Sequence, residues 1–144
     1  MKLSTKSRYG AKAVIEIARN YMKQPTKRKD ISKNQKIPDS YLENILIDLK
    51  KKGIIESIRG AKGGFTLKRA PSEITLFDIV TVLQTSLEPV QCVNDPNLCQ
   101  NVASCVTRPI WLKLFNAQNE VLKGYTIQDL LDQEKEREVV NFCI

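Results

Sequence analysis

The sequence predicts a mostly α-helical fold with one small β-hairpin wing: a winged helix-turn-helix domain followed by a long dimerisation helix. Three stretches carry that prediction. Ile37-Pro38-Asp39-Ser40 is a turn and a helix start together, and Leu42, Ile45, Leu46 and Leu49 follow it at the spacing of one buried helix face. Ile54 to Arg59 and Phe65 to Lys68 are β-prone runs joined by Gly60-Ala61-Lys62-Gly63-Gly64, a hairpin directly behind that helix. Pro109 then opens a helix whose stripe of Trp111, Leu114, Phe115, Gln118, Val121 and Leu122 is too apolar for a lone surface helix.

Taken in order, helix one is predicted from about Ser7 to Met22, capped by Ser4 or Thr5, with Val14, Ile17, Ala18, Tyr21 and Met22 inward. Pro25 ends that region, the basic run Lys27-Arg28-Lys29 follows, and a short helix spans about Lys29 to Gln35. Ser40 and Glu43 have capping-box spacing for the next helix, which stops at Lys52-Gly53. Tyr41, Asn44, Asp48 and Lys51 face away from its core side. The glycines of the hairpin turn lack the following helix and Lys-Ser or Lys-Thr pair of a phosphate-cradling loop, so they read as a wing tip. Thr75-Leu76-Phe77-Asp78 is a further helix cap, with Leu76, Ile79, Val80 and Leu83 inward and Glu88-Pro89 as the break. Gly124 stops the Pro109 helix, and Thr126 to Arg137 forms a last one capped by Thr126 and Asp129. The expected divisions are a winged-helix domain over 1–86, a cysteine-containing segment over 87–108, dimerisation helices over 109–138 and a flexible tail over 139–144. Packing of the Pro109 helix back on its own domain is the competing outcome; a second copy is the economical cover for its stripe.

The 144 residues carry a formal charge of +7, unevenly spread. Residues 1–69 hold 18 Lys and Arg against 6 Asp and Glu, and residues 70–144 hold 5 against 10. The first part therefore stands at +12 and the second at −5. A basic part of that size points to a polyanion partner, with a merely solvated basic face as the alternative. The N-terminus lacks the apolar core of a signal peptide, and no window has the length of a membrane span, so a cytoplasmic, non-membrane protein is expected. Thiols stay reduced there, and clustered cysteines then suggest metal or redox chemistry. Three of the four cysteines, Cys92, Cys99 and Cys105, stand at Cys-x6-Cys-x5-Cys spacing in a loop containing Asn94, Asp95, Pro96 and Asn97. Thiolates suit iron–sulfur clusters and zinc, and three from one loop can hold three corners of a cluster. A cysteine redox switch or three partly buried thiols are the other readings. A zinc module would want a fourth firm ligand, and a thiol enzyme would want a base, but the chain has no His.

Several stretches together resemble one known family of bacterial regulators, the winged-helix family of IscR, NsrR and CymR, whose members respond to iron–sulfur clusters or redox state. They are Leu3-Ser4-Thr5-Lys6-Ser7-Arg8-Tyr9-Gly10; Ile37-Pro38-Asp39-Ser40-Tyr41-Leu42-Glu43; Leu49-Lys50-Lys51-Lys52-Gly53-Ile54-Ile55; Arg59-Gly60-Ala61-Lys62-Gly63-Gly64-Phe65; the helix from Ile74 to Val80; and the three cysteines. The likeness covers about residues 1–135. It implies a homodimer that binds double-stranded operator DNA as a transcription regulator, with an iron–sulfur cluster, [2Fe–2S] or [4Fe–4S], at Cys92, Cys99 and Cys105. A cluster-free, thiol-sensing or partner-controlled repressor of the same fold is the alternative within that family. The fourth cluster ligand departs from the family pattern. Where IscR-like members place a His three residues after the third cysteine this chain has Arg108, and where NsrR-like members place an acidic residue at the opening of helix one it has Arg8. Asp95, a hydroxyl, water, a small thiol or Cys143 are the remaining candidates, Cys143 otherwise reading as incidental.

For DNA, Lys27, Arg28, Lys29, Lys51, Lys62 and Lys68 are candidate phosphate contacts, a sequence-blind attraction. Ser40, Tyr41, Glu43 and Asn44 are candidate base-reading residues at the start of the second helix of the motif. Glu43 either accepts from a cytosine amino group or closes its capping box. The resemblance puts Arg59 and Gly60 where the wing enters the minor groove, whose negative potential favours an arginine.

Overall fold

Ser4 starts the first helix: its Oγ accepts the Ser7 N–H at 3.0 Å, and α1 runs over Thr5–Arg19. The structure, a computed structural model, describes residues 2–143. Val14, Ile17 and Ala18 of α1 are buried as their spacing predicts, and Tyr21 packs against the same core. Met22 does not. The helix ends at Arg19, Met22 turns into the left-handed region at φ 62°, and its side chain is 85% exposed. That turn brings Thr26 alongside Phe65, where the two exchange backbone hydrogen bonds of 2.8 Å in each direction. Gly64 makes this approach possible, since a Cβ there would lie 2.6 Å from the Thr26 carbonyl oxygen.

Helix α2 covers Arg28–Gln35 and α3 covers Asp39–Lys51, joined through left-handed Lys36. The expected Ser40–Glu43 capping box does not form. The proline ring fixes the backbone of Pro38, which becomes the N-cap, and helical geometry begins at Asp39. Ser40 therefore lies inside the first turn, and the Glu43 side chain turns to Arg28 instead. On the other side, Leu42, Ile45, Leu46 and Leu49 are all buried. Strands β1 (Ile55–Ile58) and β2 (Gly64–Leu67) form the antiparallel wing, with Ile55 opposite Leu67 and Ile58 opposite Gly64.

Helix α4 (Leu76–Leu83) opens on a reciprocal cap between Thr75 and Asp78 and buries Ile79, Val80 and Leu83, while Leu76 is only partly covered. Three short 3-10 turns follow, then α5 (Arg108–Lys123), which packs against α4 yet has no fully buried residue. Ile110 and Val121 stay more than half exposed. Its apolar stripe is therefore half covered within one chain.

The chain then returns. Leu76 N–H donates to the Tyr125 carbonyl at 3.0 Å and Ile127 N–H to that of Ile74 at 2.8 Å, which makes a bridge between Thr75 and Thr126. Helix α6 covers Ile127–Phe142 behind a Thr126–Asp129 capping box. Its first turns bury Ile127 and Leu131 in the core shared with α1. The helix also outruns the expected stop at Arg137: residues 139–142 are helical, not a loose tail, because Gln133 to Glu138 are strong helix formers that carry it on. Val139, Val140 and Phe142 are exposed there, and Ile144 lies outside the described residues. Among the described residues no helix is long and apolar enough to cross a membrane.

Ile127→Ala is expected to cost the winged-helix core about 2–5 kcal/mol, the usual loss for emptying a buried aliphatic site. Urea unfolding of the full chain measures it, and a negligible cost would detach α6 from that core.

Candidate nucleic-acid interface and cysteine segment

With one face of α3 committed to the core, the other carries Ser40, Tyr41, Glu43 and Asn44, all exposed. Tyr41 is braced: the Tyr9 ring of α1 meets it edge to face at 5.6 Å between centroids and 87° between planes. The sequence offers no signal for this pair, which comes from two helices. Asn44 Nδ2 leans back toward the Ser40 carbonyl at 3.4 Å. Further along the helix, Lys6 Nζ of α1 donates to Asp48 Oδ2 at 2.6 Å.

Arg28, the first residue of α2, donates through Nε to Asp39 Oδ1 at 3.0 Å and reaches Glu43 Oε1 at 3.5 Å. Lys27, Lys29, Lys51 and Lys68 are exposed without an ion pair among the described residues. Arg59, Gly60 and Lys62 form the exposed wing tip, with Gly60 in the left-handed region at φ 111°. Behind this surface, Glu16 of α1 is 5% exposed and accepts from Asn34 Nδ2 and Gln35 Nε2, each at 2.7 Å, and from Arg19. Arg19 extends the chain of charge to Glu134 of α6, and that hydrogen bond holds its pKa above the ordinary value against burial. Glu16 thus fixes the end of α2 against α1, a role invisible in its spacing.

The three cysteines stand on successive 3-10 turns, Gln91–Val93, Pro96–Leu98 and Val102–Ser104, with Cys92 inside the first and Cys99 and Cys105 closing the others. Val93 is buried and anchors the segment. The thiols are not drawn into one ligand set: among the described residues no three Cys, Asp or Glu side chains gather to hold a metal. Each caps or occupies its own turn, and Asp95 spends its Oδ1 on the Asn97 N–H at 3.0 Å. Cys143 sits at the far end of α6, exposed. Arg108 is a latch: its Nε donates to the Cys92 carbonyl at 3.1 Å. Gln118 Nε2 makes a second tie, to the Leu87 carbonyl at 3.0 Å. The first part of the segment is thereby fastened to α5 at two points. Cys105 is the chemically distinct thiol. The Thr107 hydroxyl 3.3 Å away, then the backbone N–H groups of Arg108 and Thr107, then the Arg108 charge, hold its pKa below that of an ordinary thiol.

The sequence model of the Rrf2 family, described as an iron-dependent transcriptional regulator, matches residues 3–133. The chain belongs to the Rrf2 family. Its members are DNA-binding transcription regulators, not enzymes. The Rrf2-family protein rrf2 of Nitratidesulfovibrio vulgaris is 37% identical over 131 residues, 91% of this chain and 87% of that one. CymR of Bacillus subtilis is 35% identical over 145 residues, spanning both chains in full. The structure of that CymR, described as a global cysteine regulator, superposes with a TM-score of 0.78 over 92% of this chain and 98% of the other. IscR of T. potens gives a TM-score of 0.79 at 33% identity, over 95% and 90% respectively. The winged helix-turn-helix prediction agrees with both superpositions.

Alkylation of Cys105, followed by mass spectrometry against pH, is expected to rise with a midpoint below the ordinary thiol value of 9.0. Thr107→Val removes the leading cause and should move the midpoint upward. An unchanged profile would show that the hydroxyl does not stabilise the thiolate.

Proposed function

We propose that this Rrf2-family chain works in the cytoplasm as a homodimer on palindromic operator DNA, and that the state of its cysteine segment sets its affinity. The leading occupant of that segment is an iron–sulfur cluster. The observation that carries the reading is the double tie between the segment and α5, through Arg108 to Cys92 and Gln118 to Leu87. The half-covered stripe of α5 is the surface on which a second copy would pack, with Leu114 and Val121 within it. A change in the segment therefore acts on the helix that would set the spacing of two DNA-binding domains.

The donor chemistry fits a cluster at three corners: Cys92, Cys99 and Cys105 are soft ligands on one short stretch. Bound there, a cluster supplies an oxidation-sensitive charge beside α5. The chain's own part is to hold the three thiols, and to keep Arg108, which cannot ligate iron, on the Cys92 carbonyl. Since neither Arg8 nor Arg108 can ligate iron, the fourth corner would be weakly held or taken by an exchangeable ligand. A specific observation favours a second reading, direct thiol sensing: the lowered pKa of partly buried Cys105 makes it the most reactive candidate.

Operator contacts in this reading come from Ser40, Tyr41, Glu43 and Asn44 to bases, from Arg59 and Gly60 at the wing, and from Lys27, Arg28, Lys51 and Lys62 to phosphates. Affinity is expected to fall with salt at a log–log slope of about −0.9 per phosphate contact. Leu114→Lys with Val121→Lys should give monomers by light scattering and weak DNA binding.

The deciding measurement is operator affinity of one anaerobic preparation before and after chelation, with iron and sulfide counted. A coupling of about 1–3 kcal/mol between the two states is expected. Colourless protein whose affinity changes on oxidation, and no longer changes in Cys105→Ser, supports thiol sensing instead. Equal affinity in every state would remove the segment from control.

A further inference from the structure

Gln84 closes the C-terminal end of α4, just ahead of the cysteine segment, and both ends of its side-chain amide are engaged. Its Oε1 accepts the Ser4 N–H at 2.9 Å and the Ser7 hydroxyl at 3.3 Å, at the start of α1. Its Nε2 donates to the Ser86 carbonyl at 2.9 Å and to the Lys2 carbonyl at 3.4 Å. These partners fix which way the amide faces: a backbone N–H needs an acceptor, and two carbonyls need a donor. One planar group therefore joins the N-cap of α1 to the backbone at which the cysteine segment leaves α4.

The connection continues on both sides. Toward the cysteines, the Glu88 carboxylate accepts from the Ser86 hydroxyl on one oxygen and from Asn94 Nδ2 on the other. Asn94 lies between Cys92 and Cys99. Residues 84–88 border a cleft of about 240 Å³ with Phe77 of α4 and Phe115 of α5, which gives them room to shift that a close-packed core denies. Toward the DNA-binding domain, α1 lies directly on the end of α4, since a Cβ on Gly10 would overlap the Leu83 side chain. Lys6 and Tyr9 are three residues apart, hence neighbours on one side of α1. They reach Asp48 and Tyr41, both on α3.

We propose that Gln84 is the positioning residue through which the cysteine segment acts on α3 within one chain. The inference rests on the reading that the state of the segment sets operator affinity, and it gives that control a route besides α5. A rearranged segment draws Glu88 and Ser86 away, and Nε2 loses the Ser86 carbonyl. Oε1 then turns off the Ser4 N–H, and the first turn of α1 loosens. The braces from Lys6 and Tyr9 to α3 loosen with it.

The test uses the full chain, prepared anaerobically, as wild type, Gln84→Met and Gln84→Glu. Methionine lacks both amide contacts; glutamate keeps an acceptor toward Ser4 but turns a second oxygen on the two carbonyls. Affinity for a duplex selected by the wild type is measured before and after chelation, and before and after oxidation. The wild type should change by about 5- to 150-fold in one of these pairs, and both variants should change by no more than about twofold. A merely structural role would shift both states alike and leave the ratio untouched. Hydrogen exchange at residues 4–10 should differ between the two wild-type states and not between those of Gln84→Met, and the wild-type comparison decides if a variant fails to fold. A variant that retains the full change in affinity overturns the proposal, as does wild-type exchange that is alike in both states; control through α5 alone predicts both results. A wild type whose affinity is equal in every state refutes control by the segment itself, and the inference falls with it.

Discussion

Leu42, Ile45, Leu46 and Leu49 leave water together on one side of α3, against helices α1 and α4. Each buried aliphatic side chain is worth about 1.5–3 kcal/mol, while a half-exposed ion pair contributes about 1 kcal/mol or less. Packing therefore decides where α3 lies and which way it faces. The polar groups around it make finer adjustments: Tyr9 against Tyr41, Lys6 on Asp48, and Arg28 on Asp39 and Glu43. Rotating α3 about its axis would expose four aliphatic side chains at once, so its outward face is presented as a rigid unit.

The same core receives the chain's return. Ile127 and Leu131 are buried beside α1, and the backbone bonds between residues 74–76 and 125–127 close the circuit. The cysteine segment and α5 form an excursion between two points of one core. Helix α5 packs on α4, whereas the cysteine segment is tied by hydrogen bonds and a single buried anchor, Val93. A region held that lightly can change arrangement without unfolding the domain that carries the recognition helix. Glu16, Arg19 and Glu134 add a polar link from the end of α2 across α1 to α6.

Much of this was legible in the residues. Periodicity picked out the buried face of α3, alternation and glycines picked out the wing, and Thr75 with Asp78 and Thr126 with Asp129 mark helix starts that form as reciprocal caps. The misreadings have local causes. Ser40 and Glu43 have the spacing of a cap, but Pro38 starts the helix earlier and Arg28 takes the glutamate. Met22 continues the apolar stripe of α1, but the turn toward Phe65 needs it outside. The end of α6 at Phe142 is not legible, because no cap residue marks it.

Sequence alone determined which residue types are available: a basic first part, three thiols on one short stretch, an apolar stripe without an obvious cover, and the family motifs. These properties are local, and each is complete within a few turns of chain. Tertiary structure decided the pairings, because they join residues distant along the chain: Tyr9 with Tyr41, Arg28 with Glu43, Arg108 with the Cys92 carbonyl, and Ile74 with Ile127. It also decided that α6 shares the core of the first domain, and that the three thiols stand on separate turns. Periodicity shows that a face must be buried. What buries it depends on how the whole chain closes, and no window of sequence contains that information.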